Sequence, residues 1–199
     1  MNVSLCFEND KFVLDVGCGL GSTVDTYGVP DHVAIYGIDV NAEVIEQAKL
    51  LYKDRPNRFF LVCPAEDLRH FESNKFDKVI SGVTLMYIKI PKAMREVYRV
   101  LVPGGTFSAS YETWQNVTKF MFRAMTRFQV KVVLHRLYIL LNGTLFFLTG
   151  YLSPYINGTF ESFQSRRGLQ ITLKRAGFEN IRFDGNRVFA DKKSSSESD

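Results

Sequence analysis

Along the first 110 residues, short apolar runs alternate with stretches in which apolar side chains recur every three or four positions. Phe12–Val16, Val33–Ile38, Arg58–Cys63, Phe76–Ser81 and Thr106–Tyr111 read as buried strands. Between them, Val44, Ile45, Ala48 and Leu51 stand at helical spacing behind Asn41, whose side chain suits the free amides at a helix start. Lys92–Leu101 repeats the pattern through Ala93, Val97, Val100 and Leu101. It stops at Val102-Pro103-Gly104-Gly105, where proline and two glycines cannot continue a helix. Strands alternating with helices pair in parallel through right-handed crossovers, which makes a doubly wound α/β sheet. Such sheets take their ligands at the carboxyl ends of the strands, where the strand order reverses.

The second half departs from this rhythm. From Asn116 to Leu152 the chain is mostly apolar and interrupts the alternation, as a helical insert of about 116–160 after the fifth strand. The pattern resumes with Leu169, Ile171, Leu173 and Ala176, a helix ended by Gly177. Phe178–Asp184 and Arg187–Ala190 follow as two strands around an Asp-Gly-Asn turn. Asp191–Asp199 hold only serine and charge and read as a disordered tail, so one domain ends at about residue 191.

A length of 199 residues fits one domain, and a net charge of +4 does not call for a nucleic-acid partner. The three cysteines, Cys6, Cys18 and Cys63, show no metal-ligand spacing, so no metal is expected. They argue for a reducing compartment; with no basic apolar leader at Met1–Asn9, the expectation is a cytoplasmic protein. The Asn-x-Ser/Thr triplets at Asn2, Asn116, Asn142 and Asn157 are then chance occurrences.

Candidate chemistry begins at Gly17-Cys18-Gly19-Leu20-Gly21, directly after the first strand. Glycines there let the backbone turn sharply and approach a ligand closely. A helix of roughly Ser22–Tyr27 follows. The spacing differs from the Gly-x-Gly-x-x-Gly of dinucleotide enzymes, because Ser22 stands where the third glycine would be. Asp15, two positions before Gly17, repels a pyrophosphate and suits a cation. Asp39 ends the second strand, where an acid can accept from both hydroxyls of a ribose.

These segments resemble the class I S-adenosylmethionine-dependent methyltransferases. Val13-Leu14-Asp15-Val16-Gly17-Cys18-Gly19 is similar to that family's first motif, and Pro64-Ala65-Glu66-Asp67-Leu68 to its third-strand segment. Phe76-Asp77-Lys78-Val79-Ile80, the stretch Arg95–Gly105 and Leu173-Lys174-Arg175-Ala176-Gly177-Phe178 extend the resemblance. It implies a doubly wound, mainly parallel seven-stranded sheet of the Rossmann-like methyltransferase type, and S-adenosyl-L-methionine as cofactor. By the same resemblance, Gly17, Cys18 and Gly19 would meet the methionine part, with Asp15 near its amino group and Ser81 at the end of the fourth strand. Asp39 would hold the ribose, Val40 would pack on the adenine, and Ala65 and Glu66 would approach its edge. Pro64 stands where the family often has an acid reaching the adenine amine, a role left to Asp67 or Glu66.

The reaction implied is methyl transfer to a small, partly apolar acceptor; the alternative is a non-catalytic or regulatory protein of the same fold. After the fourth strand, Ser81-Gly82-Val83-Thr84-Leu85-Met86-Tyr87 lacks the Asn/Asp-Pro-Pro-Tyr/Phe pattern of many enzymes that methylate nucleobase or glutamine amines. Candidate bases are Tyr87, Glu112 and His135. The insert admits three readings: a hairpin packed on the sheet, the lining of an apolar acceptor pocket, or a peripheral membrane or homodimer surface. Its Arg123, Arg127, Lys131 and His135 recur every four residues, as on one helix face.

Overall fold

A computed structural model describes residues 7–153 and 161–194; Cys6, Asn2 and Asn157 lie outside them. The five early strands are β1 (Phe12–Val16), β2 (Ala34–Asp39), β3 (Arg58–Val62), β4 (Phe76–Ser81) and β5 (Leu101–Ser110). With β6 (Phe178–Asp184) and β7 (Arg187–Lys192) they form a seven-stranded sheet in the order β3-β2-β1-β4-β5-β7-β6. β1 to β5 pair in parallel, and β7 runs antiparallel between β5 and β6. The order reverses on either side of β1, so the crevice of a doubly wound sheet lies between β1 and β4.

Local chemistry sets the element ends. The Asp77 carboxylate accepts from the Lys11 and Phe12 amides at 2.8 Å each and holds the entry to β1. Helix α1 (Ser22–Thr26) follows the glycine loop. Asn41 caps α2 (Ala42–Leu51), accepting from Glu43 and Val44 at 3.0 and 3.3 Å. Proline stands in the first turn of α3 (Ile90–Val100), where its missing N–H costs nothing. The core between sheet and helices centres on Leu14, Ile38, Phe76, Val97 and Phe107, all essentially without solvent contact.

Val102-Pro103-Gly104-Gly105, read as a helix stop, lies inside β5. Phe76 pairs with Leu101 and Lys78 with Thr106, so the extra residues bulge out of register, with Gly104 at a φ of 79°. β7 runs to Lys192, through Asp191 and one residue past the expected end of the domain. Lys192 belongs to β7, its ammonium donating to the Tyr98 and Leu101 carbonyls at 2.8 Å, and Asp191 accepts from Thr106 and Arg182.

The insert is a hairpin of α4 (Trp114–Thr126) and α5 (Val130–Thr149), leading on to α6 (Arg166–Ala176). Arg123, Arg127, Lys131 and His135 therefore share no single helix. α4 ends at Thr126, and Phe128 takes a left-handed conformation before α5 starts. α5 is fastened by one face only. Ile139, Asn142, Gly143 and Phe146 are buried. The Asn142 amide reaches the Ser153 and Glu161 carbonyls at 3.1 and 2.9 Å and accepts from the Ser153 amide at 2.8 Å. Gly143 leaves room for the Phe163 ring, and Gly168 of α6 leaves room for Phe146.

Because Phe146 is fully buried between α5 and α6, Phe146→Ala is expected to lose about 3–5 kcal/mol of stability. Urea melts check this; the midpoint falls.

Candidate functional site

Backbone geometry builds the site first. Gly17, Gly19 and Gly21 all have positive φ, at 69°, 54° and 87°, which side chains rarely tolerate. The loop they form turns back over the sheet, and the amides of Gly17 and Cys18 donate to the Ile38 carbonyl at 2.8 and 3.0 Å. Asp39 then ties the loop to the next helix. One carboxylate oxygen accepts from the Gly19 amide at 3.1 Å and the other from the Asn41 amide at 3.0 Å.

Beside this loop, at the carboxyl ends of β1, β2 and β3, is a cavity of about 490 Å3. Of the residues singled out in the sequence, it brings together Gly17, Asp39, Val40, Ala65, Glu66 and Tyr87. Glu66 accepts from the Lys89 amide through one oxygen at 2.7 Å. Cys63, Val83, Thr84 and Ile88 also line the cavity and were not picked out as site residues, because nothing local in the sequence marks them. Thr84 alone left an indirect trace. Gly17 has no side chain because Thr84 packs where its β-carbon would stand, and the Thr84 hydroxyl donates to the Val16 carbonyl at 3.2 Å.

The remaining candidates lie off the lining. Ser81 is buried and donates to the Val16 carbonyl at 2.9 Å, pinning β4 to β1. Asp67 turns outward to Arg69, whose side chain holds its carboxyl below the usual range. Cys18 is buried, and burial with the nearby Asp15 and Asp39 charges pushes its thiol well up, so it stays protonated. Glu112 follows β5, exchanges backbone and side-chain bonds with Gln164, and carries one buried carboxylate oxygen without a partner. His135 sits on α5, its Nε2 2.9 Å from Glu161. Of the three candidate bases, only Tyr87 faces this cavity.

Asp15 lies behind the glycine loop with almost no solvent contact, and neither carboxylate oxygen has a hydrogen-bond partner. The Thr23 hydroxyl lies near enough to favour its charge but is not placed to bond it. Burial, with a smaller push from Asp39, raises the Asp15 carboxyl from 3.8 to about 7. The site therefore holds an orphaned acid behind it, two carboxylates on its lining (Asp39 and Glu66), and no lysine or arginine among the described lining residues. That donor set fits a cofactor with a cationic group and a ribose, and does not fit a pyrophosphate. A second cavity of about 700 Å3 lies past the end of β5, under the hairpin, lined by Tyr111, Trp114, Phe147, Phe163 and Arg166 among others.

Residues 14–109 match the family described as methyltransferase domain. The chain is 26% identical over 190 residues to a demethylmenaquinone methyltransferase of Leptospira interrogans, covering 92% of this chain and 73% of that protein. It is 34% identical over 111 residues to a sterol 24-C-methyltransferase of Pneumocystis carinii, covering 54% of this chain but only 29% of that protein. An S-adenosylmethionine-dependent methyltransferase structure from Methanosarcina mazei superposes with a TM-score of 0.61 at 21% identity, covering 96% of both chains.

Two predictions follow from the loop. Gly17→Ala forces a left-handed alanine against Thr84 and is expected to destabilise by more than the about 1–2 kcal/mol of the backbone alone. Adding Thr84→Ala recovers the steric part, as paired urea melts would show. The Asp15 proton gives the second. Between about pH 4 and 7 the native state keeps a proton that the unfolded chain has lost, so stability falls as pH rises through that window and levels off above it. Asp15→Asn removes the titration. Its stability relative to the native protein is expected to rise from pH 4 to 7 by about 1.4 kcal/mol per pH unit at most. Equal pH profiles for the two proteins would refute the assignment.

Proposed function

We propose that this chain is a class I S-adenosylmethionine-dependent methyltransferase that methylates a small, partly apolar acceptor bound against the cavity of Asp39, Glu66 and Tyr87, a reading supported by the family match and the similar proteins. The observation that carries the proposal is the cavity's lining, which combines the carboxylates of Asp39 and Glu66 with the apolar surfaces of Val83, Tyr87 and Ile88.

S-adenosylmethionine, when bound, supplies a methyl group already activated on a sulfonium. The chain's own residues bind and orient. Asp39 keeps acceptor capacity beyond its two backbone bonds for ribose hydroxyls. Val40, 71% exposed, and Ala65 offer flat apolar surface for an adenine. Glu66 has a second carboxylate oxygen beyond the one held by Lys89. Asp15, unpartnered behind the loop, favours a cationic ligand over an anionic one.

The acceptor side is argued from what faces it. Glu112 lies off this cavity and His135 is held by Glu161, so neither of these two candidate bases stands where Val83 and Tyr87 do. An acceptor that presents its own nucleophile near neutral pH, such as a thiolate or the carbon of an ionised phenol, needs only positioning there. The two named relatives point the same way, since a demethylmenaquinone and a sterol are both largely apolar molecules.

Asp39→Ala is expected to weaken S-adenosylhomocysteine binding at least about tenfold, since each lost charge-assisted bond is worth about 1.5–3 kcal/mol. Calorimetry reads this, with circular dichroism to confirm the fold. Native protein is expected to be stabilised against heat by S-adenosylhomocysteine and not by NAD. Unchanged affinity in the variant, or the reverse ligand ranking, would sink the proposal.

A further inference from the structure

The hairpin of α4 and α5 carries an apolar face with no partner among the described residues. Val130, Leu134, Leu137, Leu141 and Leu148 recur at intervals of four, three, four and seven residues, so they fall on one side of α5. All five are exposed, Leu141 at 73%. The opposite side, at Ile139, Asn142, Gly143 and Phe146, is the one packed on the domain. Phe128, in the turn between the helices, is 90% exposed and held in a left-handed conformation that few phenylalanines adopt. Burial against the described residues explains none of these positions.

Charge separates the occupants such a face could have. Residues 114–153 contain Lys119, Arg123, Arg127, Lys131 and Arg136 and no aspartate or glutamate. The rest of the chain holds 20 lysines and arginines against 21 acids. The whole positive excess is therefore on the hairpin. Lys119, Arg123, Arg127 and Lys131 are exposed and form no ion pair among the described residues, while Arg136 lies over the Phe120 ring. A second copy docking about a two-fold axis would bring these like charges together. An anionic lipid surface meets both the charge and the apolar stripe. α5 is long and apolar enough to cross a bilayer, but its inner face is fixed to Ser153, Glu161 and α6, so it lies along a surface instead.

We propose that the outer face of the α4–α5 hairpin docks the protein on an anionic membrane, with Phe128 and the α5 leucines entering the interface and Arg123, Arg127 and Lys131 meeting lipid phosphates. Lipid binding of this kind needs no methyl donor, so its test stands apart from that of the enzymatic reading.

Flotation of the full chain is carried out with vesicles of equal parts phosphatidylglycerol and phosphatidylcholine, and with vesicles of phosphatidylcholine alone. The expected result is binding to the anionic vesicles that weakens at least about tenfold between low and high salt, with little binding to the neutral ones. Two variants change only exposed positions, and thermal melts verify that they fold: Phe128→Ser with Leu141→Ser, and Arg123→Gln with Arg127→Gln and Lys131→Gln. Each set is expected to reduce binding about tenfold or more. The proposal is overturned if the native protein ignores anionic vesicles at low salt. It is overturned equally if the Phe128 and Leu141 changes leave binding intact, which would mean charge attraction without docking. A dimer seen by light scattering that the same two changes dissolve would mean that a second copy covers the face.

Discussion

One carboxylate holds the site together. Asp39 receives the amide of Gly19 through one oxygen and the amide of Asn41 through the other, so the glycine loop after β1 and the start of α2 are set by the same side chain. Asn41 in turn caps α2 through its own side chain. The strand, the loop and the helix cannot shift independently, and the carboxylate that would face a ribose has its orientation fixed before any ligand arrives. Preorganisation of this kind lowers the ordering cost of binding.

The parallel half of the sheet was open to view in the sequence because its signals are local. A run such as Phe12–Val16 followed by glycines, or Asn41 before Val44 and Ile45, announces a buried strand or a capped helix within a few residues. Strand bounds held to within a residue or two for β1 to β4. They failed at β5, where Pro103 and Gly104 mean either a helix stop or a strand bulge, and only pairing with Phe76 and Lys78 decides. Lys192 failed for a similar reason. Beside a serine-rich tail it looks solvated, yet three carbonyls at the end of α3 and the start of β5 collect its ammonium from far along the chain.

The acidic character of the site was equally legible, because Asp15 and Asp39 sit at fixed offsets from the glycines. What the sequence could not show was which acids turn inward. Glu66 and Asp67 are adjacent and chemically alike, and the difference comes from their partners: the Lys89 amide keeps Glu66 at the cavity, while Arg69 draws Asp67 away from it. His135 and Arg123 illustrate the same limit on a longer scale. Four-residue spacing places both on one helix face only if the helix is continuous, and the left-handed Phe128 breaks it.

The break at Phe128 also sets how the insert meets the domain. A single long helix could be fastened to the domain and still present its apolar side in only one direction, along the sheet. Folding back gives two helices. α5 is anchored through Asn142 and Phe146, and that anchoring brings Thr144 and Phe147 past the end of β5, where with Trp114 of α4 they border the larger cavity. The same rotation that turns Asn142 inward turns Leu134, Leu137 and Leu141 outward, because a helix with apolar residues on both sides must expose one of them. A partly apolar cavity past the end of β5 and an exposed leucine stripe are thus two consequences of one helix register, and a substitution that rotated α5 would alter both together.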